Sequence, residues 1–253
     1  MATLEIIKNK LAEMHQAEEY FNALSTNIQL SGSDIKVVAV SSVQPNEGKS
    51  TISINLSLAF ARAGYRTLLI DADIRNSVMT GVFKSQRKVE GLTEVLSGNA
   101  DISRALADTD YPNLDVFLSG QVSPNPTGLL QGKNFEVIMG VLREHYDYIV
   151  VDTPPIGMVI DAAIIAQRCD GSFLVSASGA VSRKAVQKAK EQLEQTGTPT
   201  WITIQQVDDY VPPVWPATRD AQQQMAHLDF HVQDVEEGVK YALSCGASLS
   251  EYQ

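Results

Sequence analysis

The sequence predicts an α/β fold, a doubly wound and mostly parallel sheet, with a short α+β appendage at its C-terminal end. Three segments carry that prediction. In the first, an apolar strand, Val37-Val38-Ala39-Val40, runs into Ser41-Ser42-Val43-Gln44-Pro45-Asn46-Glu47-Gly48-Lys49-Ser50-Thr51-Ile52 and then into a helix-like stretch from Ser53 to Ala63. The other two, Thr67-Leu68-Leu69-Ile70-Asp71-Ala72-Asp73-Ile74-Arg75 and Tyr148-Ile149-Val150-Val151-Asp152-Thr153-Pro154-Pro155, are apolar runs too short for a helix, each ended by a carboxylate. Continuous apolar runs of this length suit strands buried on both faces, as in parallel sheets. Strands alternating with helices then require right-handed crossovers and helices on both faces.

Taken in order, residues 3–28 place Leu4, Ile7, Leu11, Met14, Tyr20, Phe21, Leu24 and Ile28 at helical spacing, predicting one or two amphipathic helices ahead of the core. Strand 36–42 leads to helix 49–63, which Gly64 ends as a C-cap. Strand 66–71 follows. The stretch 76–113 is looser, with a short helix near 91–97 stopping at Gly98. Strand 114–118 enters a turn-rich loop, Ser123-Pro124-Asn125-Pro126-Thr127-Gly128. Helix 128–144, strand 147–152, helix 161–168, strand 172–177, a charged helix 182–195 ended by Gly197, and strand 200–206 complete the core. At residue 207 the character changes: Val211-Pro212-Pro213-Val214-Trp215-Pro216 cannot continue a central strand, since three prolines remove ladder donors. Residues 225–232 alternate like a strand and 234–245 read as a capped helix. The expected organisation is therefore a domain over 1–206, with 1–30 as its N-terminal helical segment, and an appendage over 207–253.

The turn at 43–51 reads as a phosphate loop, which makes the fold one of the phosphate-loop NTPase type. Backbone N–H groups of such a turn point inward at phosphate oxygens, and the helix N-terminus adds partial positive charge. Lys49 is placed to reach the outer phosphates and the Ser50 hydroxyl to ligate Mg²⁺. The strict pattern opens on Gly where this chain has Val43. In open α/β sheets ligands sit at the carboxyl ends of strands. Ser50, Asp71, Asp73 and Asp152 should therefore share one edge, where hydroxyl and carboxylate oxygens beside phosphates make a site for Mg²⁺. The expected ligands are ATP and Mg²⁺.

Composition narrows the rest. A net charge of −10 and a pI near 4.8 argue against general nucleic-acid binding. Cys169 and Cys245 lack metal-ligand spacing and fit a reduced, cytosolic setting. No apolar stretch reaches transmembrane length and residues 1–20 are too charged for a signal peptide. Any work at a membrane needs another protein to hold the chain there.

Residues 1–199 resemble the bacterial tyrosine kinases, most closely the cytoplasmic autokinases of streptococcal capsule synthesis. The resemblance rests on Gln44-Pro45-Asn46-Glu47-Gly48-Lys49-Ser50-Thr51, on Asp71-Ala72-Asp73-Ile74-Arg75-Asn76-Ser77, on Gly120-Gln121-Val122-Ser123-Pro124-Asn125-Pro126 and on Asp152-Thr153-Pro154-Pro155. It implies transfer of the ATP γ-phosphoryl group to tyrosines of the chain's own tail, in trans, within a homo-oligomeric ring, regulating capsular and exopolysaccharide synthesis and export. It further implies activation by the cytoplasmic tail of a membrane-spanning co-polymerase that recruits the kinase to the inner face of the membrane. By motif match Lys49 and Ser50 hold phosphates and Mg²⁺, Asp73 and Asp152 support the metal, Asp71 is the candidate base for the tyrosine hydroxyl, and Arg75 steadies phosphates or a neighbouring subunit.

The chain departs from that family at three places. The Glu-x-x-Arg-x-x-Arg helix that aids ring assembly reads Glu19, Asn22 and Ser25 here. The adenine-reading Asn after the last strand is replaced by Gln206, which offers the same donor and acceptor set. The C-terminal Tyr-Gly cluster is absent, leaving Tyr210, Tyr241 and Tyr252 beyond the core. Residues 201–253 instead resemble a piece of a glyoxalase-like, vicinal-oxygen-chelate domain, through Trp201 to Val207, Pro213 to Pro216, His227-Leu228-Asp229-Phe230-His231-Val232 and Gly246-Ala247. His227 matches a metal-side histidine whose partner ligands are missing, so a half-buried strand histidine is the reading favoured there. The alternative function is a partitioning-type ATPase switch that phosphorylates no protein. Its loop usually carries an extra Lys near position 44, where this chain has Gln44.

Overall fold

A computed structural model of the chain describes residues 2–7, 17–32, 34–85 and 89–205. They belong to the first of two units, Met1–Val207. The second, Asp208–Gln253, and with it the strand and helix expected at 225–232 and 234–245, lies outside the described residues.

Among the described residues nine strands form one sheet: β1 (Ala2–Ile6), β2 (Val37–Ser42), β3 (Thr67–Asp71), β4 (Phe83–Ser85), β5 (Leu106–Thr109), β6 (Leu114–Phe117), β7 (Tyr148–Asp152), β8 (Gly171–Ala177) and β9 (Thr200–Gln205). Their spatial order is β4-β1-β5-β6-β3-β7-β2-β8-β9. From β6 to β9 every neighbour is parallel. The other edge is mixed, with β5 antiparallel to β6, β1 parallel to β5, and β4 antiparallel to β1. The helices are α1 (Glu18–Ser31), α2 (Lys49–Arg62), α3 (Leu92–Leu96), α4 (Ile102–Ala105), α5 (Pro126–Gln131), α6 (Lys133–His145), α7 (Asp161–Ala166) and α8 (Arg183–Glu194). None is long and apolar enough to cross a membrane.

The alternation of the strands builds two cores. Val37, Ala39, Leu68, Ile70, Ile149 and Val151 face one, against Phe135, Met139 and Leu142 of α6 and the apolar side of α7. Val38, Val40, Leu69 and Val150 face the other, against Ile54, Leu58 and Phe60 of α2 and Ile28 of α1. Fully burying one such side chain stabilises by about 1.5–3 kcal/mol. Helix α2 is buried nearly throughout its length, because β2 and β7 lie on one side and α1 on the other. Two of its inward polar residues find partners one turn back: Asn55 Nδ2 donates to the Thr51 carbonyl and Ser57 Oγ to the Ser53 carbonyl, each at 2.8 Å.

Three expectations need correction. Residues 2–6 are a strand, not the start of a helix: Leu4 and Ile6 are buried while Thr3 and Glu5 are exposed, the period of two of a strand with one face on the core. Helical spacing holds for Glu18–Ser31 alone, and 8–16 lie outside the described residues. The looser stretch 76–113 contains β4 and β5 besides α3 and α4. Helix 128–144 is two helices, α5 and α6, broken where Gly132 turns extended at ψ 154°. Asn125 starts the first by accepting the Gly128 N–H at 3.1 Å, with Pro126 at the first helical position.

Candidate nucleotide and phosphoryl-transfer site

The sheet itself brings the site together. Asp71 ends β3 and Asp152 ends β7, and the two are register partners on adjacent parallel strands. Strand β2, paired with the other side of β7, delivers the loop 43–48 to the same edge. The loop turns through two residues of positive φ, Asn46 at 64° and Gly48 at 89°. Asn tolerates the left-handed region and Gly adopts it without strain. Gly48 caps α2, whose first residues are Lys49 and Ser50. Val43, at the position where the strict pattern has Gly, is buried. A Cβ on Gly157 would lie 2.3 Å from the Val43 carbonyl oxygen, so this approach of the loop after β7 needs glycine on the far side.

At the centre the side chains converge. Ser50 Oγ donates to Asp152 Oδ2 at 2.7 Å and Ser53 Oγ to Asp152 Oδ1 at 2.9 Å. Lys49 Nζ lies 3.4 Å from Asp73 Oδ2 and 3.7 Å from Asp152 Oδ2, and 3.3 Å from Ser50 Oγ. Asp73 Oδ1 accepts the Asn76 N–H at 3.0 Å, which closes the turn after β3. Burial pushes the Asp152 carboxyl up, against the opposing pull of Lys49 and the two serine hydroxyls. Burial first, and then Asp152 beside it, push the Asp71 carboxyl up to about 7, with the Ser77 hydroxyl acting against them. Ser77 Oγ donates to Asp71 Oδ2, and Asp71 Oδ1 is buried without a hydrogen-bond partner among the described residues.

Two sequence-based assignments look different in three dimensions. Arg75 donates to Asp161 through Nε at 2.5 Å and Nη2 at 3.2 Å, and to Thr127 Oγ1 at 2.9 Å. Nε and Nη2 are thus engaged within the chain, against a fully buried Asp161, while the side chain as a whole is exposed. Glu47 is buried, and its carboxylate turns away from the loop mouth. Oε2 accepts the Gln44 N–H at 2.5 Å, and Oε1 accepts the Ser176 hydroxyl and the Ala177 N–H, each at 3.2 Å. Its side chain braces the loop against the end of β8, leaving backbone as what it can offer a phosphate. Pro45, Asn46 and Thr51 are exposed on the rim. Gln206 lies outside the described residues.

Sequence reasoning passed over Ser53, Ser77, Thr127 and Asp161. Ser53 carried a readable signal, being one helical turn after Lys49. The others became visible only through packing. No group of three or more His, Cys, Asp or Glu side chains among the described residues is arranged to hold a metal ion unaided. The donor set that is present, one hydroxyl and two carboxylates, is the kind that binds Mg²⁺ together with substrate phosphates rather than in an all-protein cage.

Fold and site define a nucleotide-binding protein of the phosphate-loop class, and the family model described as an AAA domain matches residues 35–193. The chain is 62% identical over 197 residues to the tyrosine-protein kinase CpsD of Streptococcus pneumoniae serotype 4, covering 78% of this chain and 87% of that protein. It is 38% identical over 177 residues to the tyrosine-protein kinase YwqD of Bacillus subtilis, covering 69% and 74%. The chain belongs to the family of bacterial tyrosine-protein kinases. The kinase domain of the Escherichia coli tyrosine kinase ETK superposes with a TM-score of 0.72 at 28% identity, over 80% of each chain. The septum site-determining protein MinD of Pyrococcus horikoshii, at TM-score 0.56 and 22% identity, shares the fold alone. A second family model, described as a glyoxalase-like domain, matches residues 170–253. It begins earlier than the resemblance read from residue 201. Within the overlap, β8 and β9 pair in parallel as part of the phosphate-loop sheet.

Proposed function

We propose that the chain transfers the γ-phosphoryl group of ATP to tyrosine hydroxyls and, through that activity, regulates capsular or exopolysaccharide synthesis and export. The observation that carries this reading is the placement of the Lys49 ammonium between Asp73 and Asp152 at the start of α2, with a buried Asp71, its carboxyl pushed up to about 7 by burial, at the same strand edge. Phosphoryl transfer passes through a loose transition state that needs positioning and charge neutralisation more than covalent chemistry. Backbone N–H groups of 45–51 and the α2 N-terminus cradle the phosphates. Lys49 neutralises charge on the outer phosphates. Ser50, Asp73 and Asp152 are the residues to hold Mg²⁺, which when bound shields the phosphate oxygens. Asp71 takes the tyrosine proton. A carboxylate raised to about 7 is matched to that task at neutral pH.

The same reading includes a homo-oligomer, an activating partner that spans the membrane and presents a cytoplasmic tail, and a working place at the inner face of that membrane. It also includes Gln206 as the amide facing adenine, and residues 207–253 as a linker plus glyoxalase-like fragment appended to the kinase domain over 1–206. Support for these comes from the family and from the quoted motifs. The switch reading without protein phosphorylation has only fold-level likeness behind it.

Incubation with Mg²⁺ and γ-labelled ATP, followed by phosphotyrosine mapping by mass spectrometry, tests the proposal. Label on tyrosine in the wild-type chain and none in Lys49→Met is the expected result. ATP hydrolysis with no label on any tyrosine, of the chain or of an added tyrosine-containing peptide, would overturn it.

A further inference from the structure

We propose that Tyr20, in the first turn of α1, is a phosphoryl-acceptor site that one copy of the chain presents to the active site of another. The inference rests on the kinase reading above and adds the acceptor to it. Five tyrosines lie within the described residues, and four of them are engaged. Tyr148 stacks on Phe60 with ring centroids 3.9 Å apart, and Tyr65 meets Tyr148 edge-on at 5.0 Å. Tyr146 is buried and donates to Asp115 Oδ2 at 2.7 Å. Tyr111 packs partly buried against the core on the α2 side of the sheet. Tyr20 is the fifth and is 79% exposed. A phenol so placed gains almost nothing from the fold, while its hydroxyl stands where another molecule can reach it.

The local backbone also favours presentation. The N-cap of α1 is Ala17, which makes no side-chain cap hydrogen bond. Ala is among the poorest residues at that position, so the first turn lacks the stabilisation a capping side chain gives. Glu18, in the same turn, pairs with Arg62 at 3.2 Å, which sets the first turn of α1, and with it the Tyr20 backbone, beside the last turn of α2. The active site lies at the first turn of that 14-residue helix, about 20 Å away at 1.5 Å rise per residue. Tyr20 therefore stands a helix length from its own phosphate loop, and transfer runs between copies. In the step, Tyr20 Oη bonds to the γ-phosphorus and the bond from that phosphorus to the β,γ-bridging oxygen breaks. ADP leaves with the electron pair, and the phenolic proton passes to Asp71 of the copy that holds the nucleotide.

The test mixes light wild-type chain with isotopically heavy Lys49→Met chain, and separately with heavy Asp71→Asn in case the first folds poorly. Both mixtures contain Mg²⁺, ATP and a poly(Glu,Tyr) peptide. Phosphotyrosine at Tyr20 of the heavy chain is the expected result. Tyr20→Phe should lose that phosphopeptide and leave peptide phosphorylation unchanged. Label on the peptide or on other tyrosines with none at Tyr20 overturns the acceptor. Label at Tyr20 of the light chain alone overturns transfer between copies. No phosphotyrosine anywhere, peptide included, overturns the kinase reading itself.

Discussion

Ser50 donates its hydroxyl hydrogen to Asp152 Oδ2 at 2.7 Å, joining the first turn of α2 to the end of β7 across 102 residues of sequence. The bond exists because β2 and β7 are parallel neighbours that end at the same edge, so whatever follows one strand meets whatever ends the other. It brings together two of the groups proposed above to hold Mg²⁺.

Asp152→Asn keeps the shape and one acceptor but removes the charge. Mg²⁺-dependent tightening of ADP binding should fall by at least the roughly tenfold that even outer partners of a metal ligand carry. Titration calorimetry with Mg²⁺ and again with EDTA measures it. Undiminished Mg²⁺ dependence in the variant would falsify the metal assignment.

Lys49→Met removes the ammonium that sits between two buried carboxylates. Unpaired buried charges are strongly destabilising, so the nucleotide-free variant should lose about 3 kcal/mol of stability as well as all kinase activity. Urea denaturation reads the loss. Adding Asp152→Asn to Lys49→Met should recover part of it, because the double variant has one buried carboxylate fewer to leave uncompensated. A double variant no more stable than Lys49→Met would show that the cluster does not act through charge.

Asp71 gives the metal-free chain a pH dependence of definite sign. Its carboxyl rises from 3.8 to about 7 on folding, burial being the first cause. Between those values the folded chain holds a proton that the unfolded chain has released. The stability contributed by this group therefore declines as pH rises through that window and is level above it. Asp71→Asn removes the decline. Relative to wild type, the variant should be more stable near about pH 8 than near about pH 5. Denaturant titrations of both chains in EDTA at each pH compare them, and an identical gap at the two would contradict the assignment.

Glu47→Ala removes the acceptor for two backbone N–H groups and one hydroxyl. Each donor left buried without a partner costs about 1–3 kcal/mol, so the melting temperature should drop. The loop also loses its tie to β8, so the KM for ATP should rise more than kcat falls. Glu47→Gln, which keeps one acceptor oxygen, should lie between wild type and Ala on both scales. A lowered melting temperature with an unaltered KM would reduce Glu47 to a stability role.

The parts legible in the sequence are those whose signal is local. The loop from Val43 to Ser50 announces itself by residue type and by the strand and helix around it. Asp71 and Asp152 stand out because each ends an apolar run. Residues 2–6 misled because Leu4 and Ile7 fit a helical period as well as Leu4 and Ile6 fit a strand period. Only pairing with β4 and β5 decides between them. The contacts of Arg75 were illegible for a related reason. Motif match suggests phosphates or a neighbouring subunit for its guanidinium, and says nothing of Asp161, which the fold brings to it from 86 residues on.

By itself, then, the chain's order of residues determined a parallel α/β architecture, the phosphate loop and the carboxylates at its edge, since hydrophobic runs and turn chemistry act within a few positions of themselves. Tertiary structure alone decided which neighbours those side chains meet. It set Lys49 between two carboxylates, turned Glu47 inward as a brace, closed Arg75 onto Asp161 and left Tyr20 in solvent. Each of these depends on the distance between groups far apart in sequence, and that distance is fixed only when the sheet register and the packing of helices upon it are in place.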